Sequence, residues 1–129
     1  MFILKEEEAK YIFQKVNFKK EKEMYTRLSK IMTKSYFRKI LDDALSQAKK
    51  EYENSPNIPI NQSIYNQLMD IKKTVVEENH VYSEDEANGK YFIGIQAIRN
   101  FDGYDNFPYK DMLIDIDYGI PLYPTMPEE

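Results

Sequence analysis

The 129-residue chain contains no cysteine, one histidine and only four glycines. Each shortage removes a class of chemistry. Without cysteine there are no disulfides, no thiol nucleophile and no thiolate metal site, and the composition fits a reducing compartment. One imidazole excludes a two-histidine zinc site and leaves a nucleophilic triad without support. All four glycines fall between Gly89 and Gly119, and none forms a dinucleotide-binding or Walker phosphate loop. No serine sits in a nucleophile-elbow motif. No apolar run approaches the roughly 20 residues that a membrane span needs. The opening MFILKEEEAK lacks the basic region and long apolar stretch of a secretory signal. A cytoplasmic protein of one domain, residues 1–129, without cofactor, resident metal or membrane contact, is the expectation.

What the sequence does have is an uneven distribution of charge. Residues 1–76 carry 15 Lys/Arg against 10 Asp/Glu, a balance of +5; residues 77–129 carry 3 against 12, a balance of −9; the whole is −4. Such separation bears on partner choice and steering rather than on fold.

Apolar periodicity predicts helices over the first two-thirds. Leu4, Ala9, Ile12, Phe13 and Val16 mark one over 4–16. A broad apolar stripe from Met24 to Ala48 marks a second over about 21–53, with a bend or break expected near Thr33, Lys34 and Ser35. NSPNIPIN, residues 54–61, reads as a connector. Asn61 is the expected cap of a third helix over about 62–79, with His80 as a surface or capping residue at its end.

Beyond His80 the pattern changes. YFIGIQAI, residues 91–98, is aromatic and β-branched, and Met112, Ile114, Ile116 and Tyr118 fall on alternate positions. Both read as strands, joined by the loop NFDGYDNFPYK. A competing helix could start at Ser83, where Ser83 and Glu86 have capping-box spacing, but Asn88-Gly89 and Gly94 favour the strand reading. The proline-punctuated end, IPLYPTMPEE, is expected to run over the surface. The predicted fold class is α+β, a predominantly helical N-terminal two-thirds with a small C-terminal β-hairpin or sheet; the alternative is all-α.

Candidate chemistry is sparse. In a strand, Asp115 and Asp117 share a face with Cα atoms about 6.5 Å apart, a separation that suits chelation of a divalent metal or acid–base work. No third ligand or phosphate-binding element accompanies them, so the simpler reading makes them solvated and leaves catalytic and metal sites unassigned. Lys19–Lys39 interleaves eight basic residues with Tyr25, Tyr36 and Phe37, which would suit a nucleic-acid-associated regulator, possibly phage-derived. That reading is secondary, because the chain as a whole is acidic.

The acidic half mixes carboxylates with tyrosines, which are favoured at interface hot spots. Glu84, Asp85, Glu86, Asp102, Tyr104, Asp105, Tyr109, Asp111, Asp115 and Asp117 form the candidate partner-binding set. With its small size, lack of cysteine and lack of a catalytic motif, the stretch SEDEANGKY…NFDGYDNFPYKDMLIDIDY resembles the immunity proteins of bacterial polymorphic toxins, including those of contact-dependent growth inhibition. The resemblance implies a non-enzymatic antitoxin that binds a cognate protein toxin, often a nuclease, whose basic cleft would meet the acidic surface.

Overall fold

A computed structural model describes residues 25–101, 103 and 107–129. Among these residues every regular element is helical. The expected C-terminal hairpin is absent, and the fold is all-α there. The helix expected over 4–16 lies outside the described residues.

Helix α1 spans Lys34–Asn54. The break expected near Thr33 is its beginning: Thr33 is extended and its side-chain oxygen accepts the amide of Tyr36. The 25–33 portion of the predicted second helix is therefore not continuous with it, and residues 21–24 lie outside the described residues. Residues 25–33 instead form an irregular segment with one 3-10 turn, Leu28–Lys30. The first amides of α1 also need acceptors. The C-terminal tail supplies them, with Lys34 N–H donating to Pro127 O at 2.8 Å and Ser35 N–H to Glu128 O at 3.1 Å. That tail does not simply cross the surface, for Ile120, Tyr123 and Met126 are all buried, and Tyr123 lies 5.0 Å from the Phe37 ring.

Helix α2 spans Pro59–Ile71 and continues as a π-helical turn, Lys72–Glu77. It begins earlier than expected because Pro59 at its first position is preset for helix. Asn61 is no N-cap; its side-chain amide donates to Glu51 O and Ser55 O and so finishes the end of α1. The turn closes on Asn79, whose φ of 56° is left-handed, a conformation asparagine tolerates. His80 follows, exposed at the end of this element as expected. Lys72 pairs with Asp42 at 3.0 Å and Tyr65 stacks on Tyr52, so α1 and α2 form an antiparallel hairpin.

Helix α3, Glu84–Lys90, starts where the competing reading placed it, with both halves of the Ser83–Glu86 capping box formed. Helix α4, Ile93–Asn100, occupies most of the predicted strand 91–98. Helix α5, Pro108–Gly119, replaces the predicted strand 112–118. Its buried positions are Pro108, Tyr109, Met112, Leu113, Asp115, Ile116 and Gly119, a three-and-four repeat. Two of those positions hold an aspartate and a glycine, so the apolar letters alone show period two.

Helix α5 packs against α4, α1 and the Leu28 turn, and the core gathers Leu28, Phe37, Ile40, Leu41, Leu68, Ile93, Leu113 and Ile116 around it. Gly119 permits this closeness. A Cβ there would lie 2.8 Å from Phe37 Cε2 and 2.9 Å from Leu28 Cδ2. Both neighbours are fully buried and have no room to retreat. Gly119→Ala should therefore lower stability by about 1–3 kcal/mol, the usual overpacking range, measured by urea unfolding; an unchanged midpoint would show that Leu28 is not seated on α5.

Candidate partner-binding surface

Two residues apart on a helix is about 200° around its axis. Asp115 and Asp117 therefore diverge, and neither converges with the other on a metal or a substrate. Among the described residues no group of three or more His, Cys, Asp or Glu is placed to hold a metal ion.

Asp115 faces inward. Its carboxylate accepts the Tyr25 hydroxyl at 2.6 Å, Arg27 Nε at 2.9 Å and Nη2 at 2.7 Å, and the Leu28 amide at 3.1 Å. Burial by itself would raise its pKa, but these donors and the guanidinium charge outweigh burial and hold it below the usual carboxylate range. Tyr25 is driven in the opposite direction, first by burial and then by its bond to Asp115. Asp111, one turn earlier, lies 3.7 Å from Arg27 Nη1. Two of the candidate carboxylates thus bind the described N-terminal segment to α5.

Asp117 turns to α4. Its Oδ2 accepts the Gly94 amide at 2.8 Å. That amide belongs to the first turn of α4, which has no side-chain cap of its own, so Asp117 supplies an acceptor from another helix. A Cβ on residue 94 would sit 2.9 Å from Oδ2; Gly94 is the glycine this close approach requires. Burial raises the Asp117 pKa, and the single amide bond offsets that only in part.

The remaining candidates divide into three groups. Tyr109 is 2% exposed and packs against Phe101 and Phe107, so its ring belongs to the core. Asp102, Tyr104 and Asp105 lie outside the described residues. Glu84, Asp85 and Glu86 are exposed on the first turn of α3. Glu86 is occupied by the Ser83 amide, which holds its pKa down; Glu84 and Asp85 make no ion pair among the described residues.

Where it is described, the basic segment is partly engaged within the fold, while Lys30 and Lys39 stay exposed. Lys19, Lys20 and Lys22 lie outside the described residues. Arg27 serves Asp115, Arg38 pairs with Glu128, and Lys39 pairs with Asp43. The Tyr36 hydroxyl donates to Thr26 O, and Phe37 is fully buried. The aromatic rings that would have stacked on bases are engaged within the fold.

Sequence reasoning missed the outer face of α4. Phe92, Ile95 and Ile98 are 48%, 53% and 53% exposed, at spacing i, i+3, i+6, opposite the buried Ile93, Gly94 and Ala97. Read as a strand, these residues would have alternated between faces; a helical reading of 91–98 would have placed them in one row. An open groove of about 970 Å³ also lies between α1 and α2, lined by Leu45, Tyr65 and Met69 with charges of both signs.

A family model, Tsi6, matches residues 36–121, two thirds of the chain. The chain belongs to the Tsi6 family. This is a family of toxin immunity proteins associated with type VI secretion, so the immunity character implied by the resemblance is shown, with type VI secretion as its setting. No curated protein and no solved structure matches the chain. The Tsi6 match runs from Tyr36 in α1 through α5, with Asp111, Asp115 and Asp117, and leaves out Tyr25 and Arg27. Among the described residues no helix is long and apolar enough to cross a membrane.

The two aspartates should respond oppositely to neutralisation. Asp115→Asn removes the nearer carboxylate from Arg27 and leaves it only Asp111 at 3.7 Å. Because that arginine is 42% exposed, the loss should fall below the buried-pair range, at about 2–3 kcal/mol. Asp117→Asn keeps an acceptor for Gly94 and removes a desolvated charge, so it should be neutral or stabilising at pH 7. The pH dependence follows the same signs. The contribution of Asp115, whose folded pKa is lowered, is present above about pH 4 and disappears as the pH falls through that folded value. The cost of Asp117, whose folded pKa is raised, is present above its folded pKa and absent below about pH 4. Thermal melts of both variants between pH 3 and 7 would check this. Equal destabilisation by both at pH 7 would contradict it.

Proposed function

We propose that this chain neutralises a single cognate toxin by stoichiometric binding in the cytoplasm and catalyses no reaction itself. Membership of an immunity family carries the reading. The side-chain geometry supports it: the Asp115 carboxylate is surrounded by structural donors, and Asp117 caps a neighbouring helix. The acidic first turn of α3 is the described part of the candidate set that remains available to a partner. Glu84 and Asp85 there favour a toxin whose facing surface is cationic, as on a nuclease domain, and would speed encounter more than they strengthen the final complex.

The reading expects a toxin gene immediately beside that of this chain, and the test pairs the chain with the toxin domain found there. Co-expression should restore growth of cells making that domain, and the purified proteins should elute as a complex of fixed stoichiometry. Glu84→Gln with Asp85→Asn should slow association several-fold at low salt and much less at high salt. Undiminished toxicity with the chain in excess would refute the reading. An association rate that ignores both the substitutions and the salt would remove the acidic turn and the cationic target from it.

A further inference from the structure

We propose that Lys90 is the positioning residue of the toxin-facing acidic turn: its ammonium ties the end of α3 to α2 and so fixes where Glu84 and Asp85 stand. This rests on the binding reading above and names how its acidic turn is held in place.

Helix α3 has little to hold it by itself. Its seven residues, EDEANGK, bury only Ala87, and Gly89 is a poor helix former. A helix this short is marginal in water, and one small buried side chain docks it weakly. The capping box between Ser83 and Glu86 serves the first amides but joins α3 to no other element.

The opposite end makes the joins. Lys90 Nζ donates to the Tyr82 hydroxyl at 2.8 Å and lies 3.3 Å from Asp70 Oδ2 on α2. It also sits 5.1 Å and 5.5 Å from the centroids of the Tyr82 and Tyr91 rings. Both rings are buried and meet edge to face at 5.7 Å. Tyr91 donates its own hydroxyl to Asp70 Oδ2 at 2.6 Å. Tyr82 precedes α3 and Tyr91 follows it, so one ammonium connects the entrance of the helix, its exit and α2.

An exposed lysine–aspartate pair alone is worth little, and Lys90 is 44% exposed. This pair differs because the same ammonium also meets two aromatic rings and a hydroxyl. Members of one such network are energetically coupled. The sign of the charge then separates placement from attraction. A cation beside the acidic turn opposes a cationic partner, so by charge alone its loss would speed encounter; as a tie, its loss slows encounter.

The test uses the full-length chain and the toxin domain found beside its gene. Lys90→Met with Asp70→Asn removes the ion pair at unchanged net charge, keeps an apolar stem against the rings and keeps an acceptor for Tyr91. In the free chain, the amides of residues 84–90 should exchange with solvent about 10-fold faster. Those of α4, held by Gln67 and Asp117, should not change. Association with the toxin domain at low salt should slow about 3-fold or more. Adding Glu84→Gln with Asp85→Asn should then slow it little further, because Lys90 acts through those carboxylates. If the double variant melts early, Tyr91→Phe, which keeps the ring and the net charge, is read instead, with the same two changes at smaller size. Unchanged exchange, or unchanged or faster association, in a folded variant overturns the proposal and leaves the binding reading standing. Fully additive losses also overturn it, since Lys90 would then act independently of the acidic turn. Failure of the wild-type chain to bind the toxin domain removes both.

Discussion

The Asp115 carboxylate is the constraint on which the described tertiary arrangement depends. A buried carboxylate is tolerated only when its lone pairs are met and its charge is balanced. Here the donors come from a segment 87 to 90 positions away in sequence. Meeting that requirement brings Tyr25, Arg27 and Leu28 to α5 and seats Leu28 against Gly119 and Phe37. A polar necessity and an apolar fit therefore select the same docking of the segment. The C-terminal tail reinforces it from the opposite end by accepting the first amides of α1.

Seen from Asp115, the charge asymmetry of the sequence has a structural purpose. Part of the positive half and part of the negative half meet one another: Arg27 with Asp111 and Asp115, Arg38 with Glu128. What remains at the surface is smaller and more local than the net charges of the two halves suggest. The acidic turn of α3 is one such remainder, and its carboxylates are also stabilised by the helix dipole. A framework of polar inter-helix bonds holds α4 in place, with Ile95 and Ile98 exposed on its outer side.

The legibility of the elements followed the purity of their signals. Helix α1 was readable because its apolar stripe is long; a bend or break was expected near Thr33 and Ser35, and the structure makes it the helix's start. The Ser83 capping box was visible too, yet the glycines at 89 and 94 argued against helix. Gly89 has open space around it, whereas Gly94 is required by contact with Asp117, a residue 23 positions away. Helix α5 was misread for a related reason. Its buried face includes Asp115 and Gly119, and pattern reading assigns such residues to solvent or to a turn. Four of the candidate partner residues, Tyr109, Asp111, Asp115 and Asp117, were visible as residue types, but their engagement within the fold was not.

By itself the sequence determined that no cysteine chemistry is available, the helical character of about 34–53 and 62–79, and the acidic balance of the second half. These are properties of composition and of spacing within a few residues. Only the tertiary structure decided that residues 91–119 are helical, that Asp115 and Asp117 serve structure, and that Phe92, Ile95 and Ile98 face outward. Each of those depends on which distant group supplies a hydrogen-bond donor or leaves a face uncovered, and local pattern carries no information about partners more than twenty residues away.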